Sequence, residues 1–335
     1  MEFRNDIIKK RIYLFSCSNL TIFYFINSII ISYSILNAHF HLSTRLNNGN
    51  FMVFSCDGLY TLDPYFNHLT TITQISASNY RENIAHFIDE DGGYFLFVSH
   101  NHHHFFSPYG EHLVSYSHSL SRYFYQYSVV PYNHIDSNYY YYLIDIESSD
   151  IILRKFVFNS NNNIISLVHT KTLNRTEYNF ISCELMKFSN KKVIACFYPT
   201  YSNNSYYFIC NVYDPENNYE IIKTKISNSS EIDNVYSIKS SVMNIEQRQK
   251  ALFCALIMKN STLFLYYIGY EINSNSFNEG FISCPNNCNF YLKNYYYFSL
   301  SFFKETEQFV VSIFGNCNIH IEVLQQIHVL CCCHT

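Results

Sequence analysis

Residues 179–228 contain four short runs, NFISCELMKF, KKVIACFYP, YYFICNVYDP and NYEIIKTKI, parted by turn residues. The parting residues are Ser189-Asn190, Ser202-Asn203-Asn204-Ser205 and the DPENN segment at 214–218. Runs of Ile, Val, Phe and Tyr that alternate with polar residues, and stop at Asn, Ser, Asp or Pro, read as the strands of an antiparallel meander. This stretch constrains the fold more than any other, because most of the chain behind the N-terminus repeats it loosely.

Six such sets follow one another, at residues 39–76, 84–117, 127–171, 179–228, 235–285 and 295–331. Their first strands recur every 45–60 residues or so, a period that suits propeller blades. A four-stranded sheet has two apolar faces and cannot bury both alone; stacked sheets cover each other and leave only short edges. Continuous apolar stretches such as FLYYIGYEI at 264–272 fit sheets covered on both sides, whereas a half-exposed sheet alternates cleanly. The expected fold is all-β, a β-propeller of about six four-stranded antiparallel blades. One or two β-sandwiches are the alternative, since they also give short strands at regular spacing. Trp is absent, so no Trp-Asp dipeptide marks the repeats, and no Ser-x-Asp-x-Gly box recurs.

The chain has 32 Tyr and 30 Phe but only 8 Gly and 6 Pro, a composition that favours strands over helices. The net charge of −4 is spread without blocks. A phosphate-backbone binder needs a basic stripe, so nucleic acid is excluded as a partner. The aromatic residues sit inside strand-like runs, where core packing accounts for them.

The N-terminus bears on the compartment. Residues 1–11 carry Arg4, Lys9, Lys10 and Arg11, and residues 12–36 carry no charged side chain. About 20 apolar residues suffice to cross a bilayer, and a basic flank stays cytosolic. The stretch 12–36 is therefore expected to be a hydrophobic helix, serving as a signal anchor in the membrane or, with Ser32-Tyr33-Ser34 as cleavage site, as a signal peptide. Residues 39–335 would then lie in the lumen or outside the cell, membrane-anchored or secreted. Asn-x-Ser/Thr glycan acceptors at Asn174, Asn203, Asn228 and Asn260, and 12 Cys, fit that side of the membrane.

Few residues form a chemical constellation. Counting outward from Ser189-Asn190 sets Cys183 opposite Cys196; centring the next loop on Asn203 sets Cys196 opposite Cys210. Three cysteines in a row on neighbouring strands give one disulfide or buried thiols, since three collinear positions do not make a tetrahedral zinc site. Cys284 and Cys288 flank a Pro-Asn-Asn loop and form a second disulfide candidate. The terminal CCCH at 331–334 reads as the end of the last strand. His100, His102 and His104 alternate and would share one face of a strand, a weak metal candidate with no carboxylate or Cys at ligand spacing.

No Gly-x-Ser-x-Gly elbow, phosphate loop or His-Glu-x-x-His helix is present, and no cofactor is implied. The expectation is a non-catalytic scaffold that presents loops to a protein or glycan. Two other readings are a secreted or lumenal propeller hydrolase with its site at the channel mouth, and a divergent partial member of an expanded family without independent function. Carboxylates or arginines gathered at one channel mouth would distinguish the hydrolase from the scaffold.

Overall fold

The fold is described from a computed structural model. The structure describes residues 11–15, 19–26, 29–37, 40–46, 48–55, 58–63, 68–72, 83–86, 94–98, 102–117, 127–175, 180–188, 191–202, 205–227, 232–245, 248–283, 297–303, 308–315, 320–324 and 327–333. Every regular element among them is a strand.

The first sheet joins β1 (Arg11–Phe15), β2 (Asn19–Ile26) and β3 (Ile29–Asn37) antiparallel in chain order. This corrects the expected N-terminal helix. Ile, Phe, Tyr and Thr are prominent in these runs, and each run is of strand length. Among the described residues no helix is long and apolar enough to cross a membrane.

Five four-stranded meanders follow. The first comprises β4 (Phe40–Arg45), β5 (Phe51–Ser55), β6 (Gly58–Leu62) and β7 (His68–Ile72). The second is β8 (Asn83–His86), β9 (Phe95–Val98), β10 (His102–Phe106) and β11 (His112–Ser117). The third is β12 (Ser128–Ile135), β13 (Asn138–Glu147), β14 (Asp150–Asn159) and β15 (Ile164–Arg175). The fourth is β16 (Ser182–Phe188), β17 (Lys191–Ser202), β18 (Ser205–Asp214) and β19 (Glu220–Ile226). The fifth is β20 (Asn234–Ile245), β21 (Arg248–Lys259), β22 (Thr262–Glu271) and β23 (Ser276–Ser283). The four sheets from β8 to β23 have the form of propeller blades, and the architecture is an all-β propeller type.

The last sheet holds β24 (Tyr297–Phe303), β25 (Gln308–Gly315), β26 (His320–Leu324) and β27 (Ile327–Cys333), but in the order β24-β25-β27-β26. Its β25 and β27 pair parallel, so it is not the plain meander the spacing predicts. IHVLCCC, apolar but for His328, takes the inner position; HIEVL, shorter and bearing the charged Glu322, takes the edge.

The chain divides into two compact units. One holds residues 1–120 with 134–139 and 158–165; the other holds 121–133, 140–157 and 166–335. In the first, Phe95, Phe97, Phe105 and Phe106 are buried, and Phe105 stacks on Phe158 with ring centroids 4.0 Å apart. The tight turn before β11 needs Gly110, whose φ of 94° is open only to glycine at low cost. Its amide donates to Ser107 O, and the Ser107 hydroxyl accepts from the amides of Tyr109 and Glu111.

In the second unit, the inner strands of sheet β16–β19 are packed on both faces. Val193, Ala195, Phe197, Phe208, Cys210 and Val212 pack with Ile238, Phe253, Tyr266 and Ile268 of the following sheet. Cys183, Ile194, Cys196, Tyr198 and Tyr213 pack with Tyr142, Ile144 and Leu153 of the preceding one. Adjacent residues of β17 thus serve opposite cores, which explains why KKVIACFYP is apolar without alternation. Serine hydroxyls tie the first strands of these sheets. Ser128 Oγ donates to Cys183 O at 3.0 Å and accepts from Cys183 N at 2.9 Å, and the Ser182 and Ser240 hydroxyls meet at 2.6 Å.

Candidate interaction surface

In the second unit, Tyr132 of β12 lies edge-on to Tyr142 of β13, with ring centroids 5.1 Å apart. Two ammonium groups sit over the same Tyr132 ring. Lys192 Nζ lies 4.4 Å from its centroid, and Lys155 Nζ lies 4.9 Å from it and 5.1 Å from the Tyr140 centroid. The ring faces carry negative charge density, which holds the cations there. Among the described residues neither Lys155 nor Lys192 is in ion-pair contact with a carboxylate, whereas neighbouring Lys191 pairs with Asp214 at 3.6 Å. Burial pushes both lysines below their ordinary value; Lys192 is pushed further by Lys187 and Lys155 and pulled back by Glu216. The Tyr219 hydroxyl donates to that of Tyr142 at 3.4 Å, and His169 stacks on Tyr219.

These residues were not evident as a group in the sequence, though one signal pointed to them. On β14 the inward alternation Ile151, Leu153 continues to Lys155, placing a cation where an apolar residue is expected. The ring that receives it lies on another strand, so spacing alone does not pair them.

The outermost strands β15 and β19 carry exposed apolar rows. Ile164, Leu167 and Val168 on β15 and Ile221, Ile222 and Ile226 on β19 are all exposed, Val168 by 52% and Ile226 by 56%. Each strand ends its sheet and pairs on one side only within it. Lys171 Nζ of β15 donates to Asn218 Oδ1 beside β19 at 3.3 Å.

His102 and His104 share a face of β10, where His112 of β11 joins them; His100 lies outside the described residues. The His104 and His102 ring centroids stand 5.7 Å apart, as do those of His104 and His112. Ser115 Oγ bridges His104 Nδ1 at 2.8 Å and His112 Nε2 at 2.9 Å. Burial first, then the neighbouring His112 and His102, pushes His104 down to about 4, so it is neutral at ordinary pH. Among the described residues no three His, Cys, Asp or Glu side chains are placed to hold a metal ion.

One arginine–carboxylate cluster is described. Arg154 Nη1 donates to both Asp145 oxygens at 2.6 Å, and Nη2 donates to Glu147 Oε2 at 2.6 Å. Asp145 is fully buried, and burial pushes its carboxyl up to about 6 against the pull of Arg154. The cluster is closed on itself and sits on β13 and β14, not on the first strands. Glu184 on β16 is pushed up to about 7 by burial, opposed by a hydrogen bond from Ser240.

Cys183 and Cys196 face each other across β16 and β17 and form a disulfide. Cys210 does not face Cys196. Ser202 pairs with Ser205, and in that register Cys196 pairs with Asn211. That one-residue slip turns Cys210 to the opposite face, where it is a buried free thiol whose pKa burial raises. Cys284, Cys288, Asn203 and Asn228 lie outside the described residues, and Asn174 lies in β15. Asn260 is exposed at the tip of the β21–β22 hairpin.

No protein-family model matches the chain, and no curated protein matches it. Solved structures do. The WD40 domain of SCAP from fission yeast superposes with a TM-score of 0.41 at 12% identity, covering 85% of this chain and 89% of that one. BBS1N, crystallised in complex with ARL6DN, gives 0.47 at 6% identity, covering 82% and 88%. A protein of unknown function from Bacteroides caccae gives 0.44 at 13% identity, covering 78% and 90%.

Proposed function

We propose that this chain is a non-catalytic scaffold, with its six four-stranded sheets as propeller blades, that binds a protein partner in the secretory lumen or outside the cell. The observation that carries the reading is the pair of exposed apolar rows on β15 and β19. A strand that ends a sheet presents unpaired backbone groups, and apolar side chains beside them mark an interaction site. A protein is favoured over a glycan because the exposed residues are aliphatic and strand-borne. The Arg154 cluster favours a scaffold over the hydrolase reading, since both Asp145 oxygens are already engaged by Arg154, which also holds Glu147. The Cys183–Cys196 disulfide supports the oxidising compartment.

The rows are tested by Val168→Lys with Ile222→Lys in the expressed full chain, comparing proximity-labelled neighbours with wild type. Loss of a discrete set of neighbours at unchanged melting temperature is expected; an unchanged set overturns the reading. Protease protection in microsomes with a glycosidase mobility shift tests the compartment, and a fully digested, unshifted chain overturns that part.

A further inference from the structure

We propose that Lys155 and Lys192, mounted on the Tyr132 ring, form a docking site for an acidic segment of a protein partner. This rests on the scaffold reading only in taking a protein as ligand; the residues are separate from the apolar rows.

The geometry is that of a prepared anion site. Two ammonium groups lie within 4.9 Å of one ring centroid, and a second ring, Tyr140, flanks Lys155 at 5.1 Å. Stacking on rings fixes side chains that would otherwise lose rotamer freedom on binding, which lowers the cost of engaging a ligand. Like charges brought together on one aromatic surface repel, and no carboxylate contacts either of them among the described residues. An incoming Asp or Glu side chain accepts charge-assisted hydrogen bonds from the ammoniums and removes that repulsion. Exposed Lys187 adds a third cation, while Glu216 and Asp214 border the site and limit how much negative charge it takes. That border, with the overall charge of −4, favours carboxylates spaced along a peptide over the dense phosphates of a nucleic acid or an anionic membrane.

The test uses the full chain and a fluorescein-labelled octa-glutamate peptide, read by anisotropy at low salt. Wild type is expected to bind, with affinity falling as NaCl is added. The Lys155→Gln/Lys192→Gln variant should lose about tenfold or more, with its melting temperature held. Lys155→Glu/Lys192→Glu should switch preference to octa-lysine, an outcome misfolding cannot mimic. Tyr132→Phe should keep binding, because the ring face is retained. Equal peptide binding by wild type and the Gln variant, no binding at all, or binding of inorganic phosphate or phosphatidylserine vesicles in preference to the peptide overturns the proposal. Val168→Lys/Ile222→Lys should leave peptide binding unchanged, so failure here and failure of the apolar rows are read separately.

Discussion

Asp145 and Arg154 show how a buried charge is tolerated in this chain: every oxygen of the carboxylate is met by a guanidinium N–H. Removing one partner is expected to be worse than removing both. Arg154→Met should cost about 3 kcal/mol in urea unfolding, and Asp145→Asn/Arg154→Met should recover most of it, because no bare carboxylate is then left inside. Glu184 has weaker support, a single hydroxyl against burial. Its folded pKa of about 7 stands above its ordinary value of 4.5, so the folded state holds the proton more tightly. The associated stability is full below the ordinary value and is lost as pH rises to about 7. Glu184→Gln should therefore flatten that loss and raise stability at pH 8 by about 2 kcal/mol, measured by melts across pH 4–8. His104 runs the other way. Its pKa of about 4 lies below 6.5, so stability is full above 6.5 and falls as pH drops toward 4.

The hairpins carry their own test. Asn260 and Ser261 turn the chain between β21 and β22 with φ of 49° and 59°, and Lys259 pairs with Thr262. Both central residues need positive φ, a conformation that Asn-Gly fills best and Ser fills at a cost. Ser261→Gly should stabilise by about 0.5 kcal/mol in chemical unfolding and leave the Asn260 acceptor triplet intact through Thr262. Turn chemistry is also what made the sheets readable from the sequence. Ser189-Asn190 joins two apolar runs with a two-residue link, and the pairing of Phe188 with Lys191 and Cys183 with Cys196 follows from it. The Ser202-Asn203-Asn204-Ser205 link has two near-equal centres, and choosing between them decides which face Cys210 takes. The N-terminal stretch misled for a different reason. Its apolar count suits a membrane helix, but β-branched and aromatic residues in runs of five to nine suit strands, and partner strands make the difference.

Apart from the parallel β25–β27 pair, the described strands pair with chain neighbours, so most pairing information is local and survives in a single sequence. What brings Tyr132, Lys155 and Lys192 together, or Ser182 and Ser240, is packing of one sheet on another, which leaves no fixed spacing to find. The apolar rows on β15 and β19 are similarly hidden, because an exposed Ile and a buried Ile look alike in the sequence. The buried thiols give an accessibility test of the sheet packing. Cys210 and Cys254, both buried, should resist iodoacetamide in the native chain and label after unfolding in urea, read by peptide mass mapping. Native labelling at Cys210 would mean that the sheets bearing Phe208 and Tyr266 do not close over it.

The Cys183–Cys196 link joins two strands of one sheet and does not tie one sheet to the next. Under a stretching force applied at the chain ends, it stores slack. The 13-residue separation spans about 44 Å when extended, yet the crosslinked Cα atoms stand 4.2 Å apart. In single-molecule pulling, the unfolding of this sheet should therefore release about 40 Å more contour length after reduction than before. The bond does nothing to raise the force at which neighbouring sheets part; it shortens the tether that remains once they have.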